Sequence, residues 1–349
     1  MRPLPRWLRR LVIDPAVVLG VVVAMLSLPL VVPSAAFLSR YVPGKWRIAR
    51  IVWFLFLYLV IEAVGLIAMF GLWVASGFGW KLGTPGFRAA HHTLFAWMLR
   101  RVVASAKVTF RMSIDLEGQT SRAGSAGQRR PIIVLSRHAG PGDSILLMDR
   151  LANRYKRRPR IVLKEFLKWD PALDVMLHRI PAAFVPWDKT AGRAVVEEIA
   201  RLAATMGEED VLVIFPEGAN YTPKRARRAV EKLHEIGRPD LAERALQLRN
   251  TLPPKSTGVL TAIAQAQSPT DVFVVGHAGL ETFVAPGDIW RGMPLDTRIA
   301  VRVWHIPAEQ LPPAGEQETW LYDLWAEVDT WISERLTTTG EPFDDPDFY

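Results

Sequence analysis

A chain of 349 residues carries 43 Lys and Arg against 35 Asp and Glu, a formal net charge of +8, and no cysteine. That balance favours an anionic partner, lipid or nucleic acid. It excludes disulfides and leaves any metal to histidines and carboxylates.

The first eighty residues make lipid the better choice. Pro15 to Ser39 is a run of 25 residues without a charge, and Ile51 to Ser76 is apolar with only Glu62 interrupting. At about 1.5 Å per helical residue, each is long enough to cross roughly 30 Å of hydrocarbon. Arg2, Arg6, Arg9 and Arg10 ahead of the first run, with Ser34-Ala35-Ala36 near its end, also fit a signal peptide. The second run would still anchor the product. The expectation is therefore an uncleaved hairpin or re-entrant pair over residues 1–80, bent at Pro29 and Pro33. Basic residues precede, separate and follow the two runs, so charge does not set orientation. Glu62 receives no catalytic role.

Phe87, Leu94, Phe95, Met98 and Val102 then repeat at helical spacing. An interfacial helix over 81–105 and an ordinary core-facing helix fit this pattern equally well. Residues 106–336 are long enough for one domain with its own core. Strands are expected at 108–116, 132–136, 160–163, 183–186, 211–215, 271–276 and 298–306. Helices are expected at 144–156, 170–178, 190–206, 224–247 and 257–267. Their alternation predicts an α/β fold, a mostly parallel sheet flanked by helices on both faces. A stripe of Leu321, Leu324, Trp325, Val328 and Ile332 marks a final packing helix. Residues 119–130 read as a polar surface loop, and 337–349 as an acidic flexible tail.

The chemistry-bearing signals sit just past two of these strands. His138 follows Ile132-Ile133-Val134-Leu135, where open α/β sheets place their ligands. A regular helix does not bring residues five apart together, so the Gly140-Pro141-Gly142 spacer must turn the chain to fold Asp143 back onto the imidazole. Such a pair is a general base with its orienting carboxylate. The plainer reading is a strand-end histidine with Asp143 as a helix cap. A second motif, Phe215-Pro216-Glu217-Gly218 after the strand Val211 to Ile214, tips the balance, because capping does not require it.

These residues resemble the glycerolipid acyltransferase family, whose best-known members act on lysophosphatidate. The resemblance spans roughly residues 105–280 in four blocks. His138 to Asp143 matches the first, and Phe215 to Gly218 the third. Lys164-Glu165-Phe166-Leu167 fits the start of the second. The strand Ala183 to Asp188 fits its end but lacks the family's arginine, for which Lys189 or Arg193 stands nearby. Leu252-Pro253-Pro254-Lys255-Ser256-Thr257-Gly258 is similar to the fourth, with lysine in place of arginine.

The resemblance implies transfer of a fatty acyl group from acyl-CoA or acyl-ACP to a hydroxyl of a lysophospholipid, in phospholipid biosynthesis, with no bound cofactor and no metal. It implies a glycerol-3-phosphate acyltransferase-like fold at the cell membrane, with the catalytic domain on the cytoplasmic side where the donor is found. His138 and Asp143 are then the catalytic residues. Glu217 and Gly218 belong to the substrate-binding turn, where a carboxylate suits a hydroxyl or a cation, or organises the loop through backbone hydrogen bonds. Acceptor phosphate requires cations at the same strand ends. Lys164 is the first candidate, Lys255 the second, and Lys224 or Arg225 follow. Most of the remaining basic residues read as solvated or lipid-facing surface.

Other enzyme classes lack their signatures. There is no Gly-x-Ser-x-Gly elbow, no Walker-type loop, no Gly-x-Gly-x-x-Gly and no His-Glu-x-x-His. The acceptor could equally be another lysolipid or a glycolipid. The rival from a different class is a non-catalytic, basic, lipid-binding membrane protein that keeps the motifs as turns.

Overall fold

Parallel strands flanked on both faces need continuous apolar runs rather than alternation. Ile132–Ser136 and Asp210–Ile214 supply them, each buried at every position. In the computed structural model, which describes residues 4–117, 129–140, 142–185, 192–281 and 286–339, these runs are the central strands β2 and β5 of a seven-stranded sheet. The others are β1 (Ser113–Glu117), β3 (Arg158–Lys164), β4 (Ala182–Val185), β6 (Asp271–Ala278) and β7 (Arg298–Ile306). The order is β1-β7-β6-β2-β5-β3-β4. From β6 to β4 all neighbours are parallel. Only β7 meets β6 antiparallel, and β1 runs parallel to β7.

The pleat of β2 divides the core. Ile132 and Val134 point into one apolar layer with Met148 and Leu151 of the α5 region (Asp143–Asp149, continued by a π turn Arg150–Arg154), and with α6 (Pro171–Leu177). Ile133 and Leu135 point into the other, formed by α7 (Gly192–Ala204), α10 (Ser256–Gln265) and α12 (Gln317–Thr339). The packing stripe read from Leu321 to Ile332 is buried in this second layer.

Three element readings differ from expectation. The strand over 108–116 begins instead as the end of helix α4 (Pro85–Phe110), and β1 starts only at Ser113. Arg111, in the left-handed region at φ 56°, ends the helix. The helix over 224–247 is two helices, α8 (Pro223–Glu235) and α9 (Pro239–Leu246). Gly237 at φ 74° and Pro239 break it between them. The expected helix 144–156 ends its α turns at Asp149 and finishes as a π turn. Residues 340–349 and most of the 119–130 loop lie outside the described residues, while 337–339 continue α12.

Two helices precede the domain, α2 (Asp14–Leu38), entered through a helical lead that starts with α1 (Arg6–Leu8), and α3 (Arg47–Ala75). Both are long and apolar enough to cross a membrane. α4 packs on α3 and buries Phe95, Met98, Leu99 and Val103 in the core. Specific polar contacts join the helix pair to the domain. Arg9 makes two hydrogen bonds to the buried Asp174 of α6 at 3.1 and 3.0 Å, and Arg10 pairs with the same carboxylate at 3.1 Å. Glu62 accepts the Ala172 amide at 3.0 Å in the first turn of α6, and Tyr58 bonds Asp170. At the other end of α3, Arg47 donates to the carbonyls of Arg291 and Met293 at 2.8 and 3.2 Å. Glu62 thus serves as a docking acceptor for orphan helix amides.

Candidate active site

Strands β2, β3, β5 and β6 all end at the same edge of the sheet, and each delivers one polar residue there: His138, Lys164, Glu217 and His277. β2 lies between β5 and β6, neither of which is its chain neighbour, so a crevice opens at this reversal of strand order.

Asp143 folds back as the spacing required. Its Oδ2 lies 2.9 Å from His138 Nδ1 and accepts the Ala139 and Gly140 amides at 2.8 and 3.1 Å. Its Oδ1 accepts the Ser144 amide and hydroxyl at 2.5 and 3.0 Å. Burial opposes charge on this carboxyl. The His138 hydrogen bond, the electrostatic pull of the two nearby imidazoles, His277 and His138, and the Gly140 amide overcome that and hold its pKa below the usual value. A charged Asp143 fixes the proton of neutral His138 on Nδ1 and leaves the Nε2 lone pair available. The imidazole rests on the Phe215 ring, centroids 4.9 Å apart, and its side chain is 24% exposed. The turn itself works differently from expectation: Gly142 sits at φ −94°, an ordinary right-handed value, and Pro141 lies outside the described residues. Amide donation to Asp143, rather than left-handed glycine, secures the fold-back at this position.

Glu217 is 1% exposed and spans two blocks. Its Oε1 accepts the His138 amide at 3.1 Å and its Oε2 the Leu252 amide at 2.8 Å. Burial pushes its pKa up to about 7, against the pull of those amides and of Arg137. The fourth block therefore leans on the third, and the Lys255 amide adds a bond to the Pro216 carbonyl at 2.9 Å. Gly218 turns the chain at φ 69°, and a side chain there would begin 2.6 Å from Lys255 Nζ. Burial depresses the Lys255 pKa, with Lys232 and Lys164 adding to it, and burial with Arg225 does the same for Lys164. Lys255 lies at the turn, and the charge of Lys164 is felt there. Lys224 and Arg225 are exposed on the first turn of α8, and Arg225 bonds the Asn220 carbonyl at 3.0 Å. Of the stand-ins for the missing arginine, Lys189 lies outside the described residues, and Arg193 pairs with Glu197 on its own helix at 3.0 Å.

A cavity of about 130 Å³ opens beside Asp143 and His277 and runs beneath α5 along β2. Its wall is apolar, with Val134, Leu146, Leu147, Leu151, Phe273 and Val301, while Tyr155, Arg150 and Arg157 line its other part.

Residues 114–278 match the model of the Acyltransferase family. This segment is an acyltransferase-family domain. No curated protein matches the chain. The matched stretch runs from β1 to the last residue of β6 and contains the histidine, the carboxylates and the lysines just described. Acyl transfer is the general chemistry this family supports.

Arg137, His277 and Glu281, gathered at this candidate site, were not legible in the chain. Arg137, 1% exposed, pairs with Glu281 and donates to the carbonyls of His277 and Asn250, the latter at 2.9 Å. His277 lies 3.8 Å from Asp143. A cation beside His138 was in plain sight, but no spacing rule names partners 113 to 144 positions away. Gly218→Ala tests the turn. We expect a loss of about 1–2 kcal/mol from the left-handed backbone, read as a lower melting temperature, together with displacement of the Lys255 ammonium.

Proposed function

We propose that this chain moves a fatty acyl group from an acyl thioester of coenzyme A or acyl carrier protein to a hydroxyl of a lysophospholipid, lysophosphatidate first among them. The observation that carries the reading is the His138–Asp143 pair, 2.9 Å apart, with Asp143 also lining a cavity whose wall is largely apolar. An alcohol attacks a thioester only as it loses its proton, and Nε2 of His138 is the base in reach. As the C–O bond forms, the proton passes to the imidazole. The tetrahedral oxyanion collapses, the C–S bond breaks, and the thiol leaves carrying a proton from the imidazolium. Asp143 stays ionised throughout and steadies the charged ring. No acyl-enzyme is needed. The cavity beneath α5, apolar over most of its wall, suits a hydrocarbon chain.

Lys164 and Lys255 supply the charge an acceptor phosphate requires. We expect Lys255→Met to raise KM for lysophosphatidate about 10-fold or more while kcat changes little, and to leave an uncharged acceptor unaffected. Glu217 acts on the loops that carry His138 and Leu252, through their amides, rather than on substrate.

The helix pair sets the membrane geometry. Arg47 and Glu62 contact the domain from points 15 residues apart on α3, about 22 Å along its axis. A helix fixed to the domain at both points suits insertion into one leaflet, the re-entrant form of the anchor, with the domain on the cytoplasmic side where thioesters are made. The test is release of free thiol by the purified full-length protein in detergent, from acyl-CoA and acyl-ACP, across lysophosphatidate, glycerol 3-phosphate, other lysophospholipids and glycolipids. Acceptor-dependent thiol release supports the reading. Silence with every pair favours the non-catalytic lipid-binding protein.

A further inference from the structure

His138 leaves β2 through one peptide unit, formed by the Arg137 carbonyl and the His138 amide. A trans peptide points its oxygen and its hydrogen in opposite directions. Here both are taken, by one side chain just past β5 and one on β6, and the oxygen also accepts the Ser136 hydroxyl at 3.1 Å. From the β5 side, Glu217 Oε1 accepts the His138 N–H at 3.1 Å. From β6, His277 Nε2 lies 3.2 Å from the Arg137 oxygen. The Arg137 amide is also pinned, to the Val275 carbonyl at 3.0 Å. Rotation of this peptide would swing the imidazole off Asp143, and the two side chains oppose rotation from either side.

A carbonyl oxygen only accepts, so Nε2 of His277 carries the hydrogen and Nδ1 of the neutral ring is bare. Nδ1 is buried and has no partner among the described residues. Protonation would add an N–H with nowhere to go, so burial keeps the ring neutral against the attraction of Asp143 and Glu281, and Arg137 works in the same direction as burial. The charged and titratable groups around it come from three places: Asp143 on α5, Arg137 just past β2, and Glu281 beyond β6. A neutral donor suits this place. It points a dipole at the carbonyl, and with Nε2 3.8 Å from Asp143 Oδ2 it favours the carboxylate without competing for it as a cation.

We propose that His277 is a positioning residue for the His138–Asp143 pair, acting with Glu217 as a clamp on the peptide from which His138 departs. Its kinetic consequence rests on the acyl-transfer reading, whereas its structural consequence does not. The experiment compares His277→Leu with His277→Gln in the full-length protein. Glutamine carries an amide donor at the reach of Nε2, and leucine carries none.

In thiol-release assays the leucine variant should lose about 100-fold in kcat with little change in donor KM, the penalty of a slightly misplaced base. The glutamine variant should recover most of that loss. Nitrogen NMR of labelled histidine follows His138 without any substrate. In the wild type and the glutamine variant Nδ1 of His138 should carry the proton, and in the leucine variant the ring should lose that preference. If the leucine variant, still folded by its melting transition, keeps the wild-type His138 spectrum, the clamp is refuted. A glutamine variant as altered as leucine refutes the donor role. A wild type that turns over no thioester, yet shows the His138 change on His277→Leu, keeps the clamp and sinks only the acyl-transfer reading.

Discussion

Replacing His138 with alanine is expected to cut acceptor-dependent thiol release by about 10²- to 10⁴-fold, the range a positioned general base contributes. The folded state should barely notice. His138 is a quarter exposed, and its backbone amide, the group Glu217 holds, survives the substitution. A melting temperature within a few degrees of wild type is therefore part of the expectation. Asp143→Asn should lose activity to a similar extent for a different reason. One amide oxygen cannot serve both the His138, Ala139 and Gly140 donors on Oδ2 and the Ser144 donors on Oδ1, and without its charge the side chain no longer steadies the imidazolium. Asp143 also links to pH. Its folded pKa is depressed, so its contribution to stability is present above its ordinary value near 3.8 and is lost as pH falls through the lower folded value. An alanine variant that turned over at the wild-type rate would end the base mechanism whatever the fate of the family assignment.

Arg137→Met should be the most damaging single change to the fold. The guanidinium is 1% exposed and holds Glu281, the His277 carbonyl and the Asn250 carbonyl at once, which ties the end of β2 to the end of β6 and to the loop before α10. Methionine fills similar volume and leaves the Glu281 carboxylate buried and unpaired. Removal of one partner from a buried pair costs about 3–5 kcal/mol. For a domain of this size that corresponds to a melting temperature lower by roughly 10 °C. Glu281 is held below its ordinary pKa, with burial opposed by Arg137, and Arg137 is one of the pulls that restrain the upward shift of Glu217. Both carboxyls should therefore rise, and the variant should be relatively less unstable at pH 5 than at pH 8, because protonation relieves the orphaned charge. Adding Glu281→Gln to Arg137→Met should recover part of the loss. Equal melting curves for Arg137→Met and wild type would show the ion pair to be dispensable.

The interior of the sheet was legible because buried parallel strands are written as uninterrupted β-branched runs. Ile132 to Leu135 and Val211 to Ile214 appear where they were expected, and the 298–306 strand matches to the residue. The edges of elements were less legible. Val108 and Phe110 alternate like a strand, yet they complete a helix that packs on α3, with Phe110 against Phe54, a partner that local pattern does not reveal. Glu62 read as an interruption in an apolar run, and only its contact with the Ala172 amide gives it a role. Lys255 shows the same limit at the site. Its ammonium reaches the Phe-Pro-Glu-Gly turn because Gly218, 37 residues earlier, leaves the room.

By itself, the sequence determined the period of each element, the α/β class, the apolar hairpin, and the presence of a histidine and a carboxylate on either side of a turn, because these depend on residues near one another in the chain. Only the tertiary structure decided which strands flank β2, and hence that Glu217 and His277 close on the same peptide, that Arg137 joins three segments, and that the two N-terminal apolar helices dock on the domain. Those facts depend on which distant segments meet, and hydrogen bonds and buried charge have no periodicity that the chain can display.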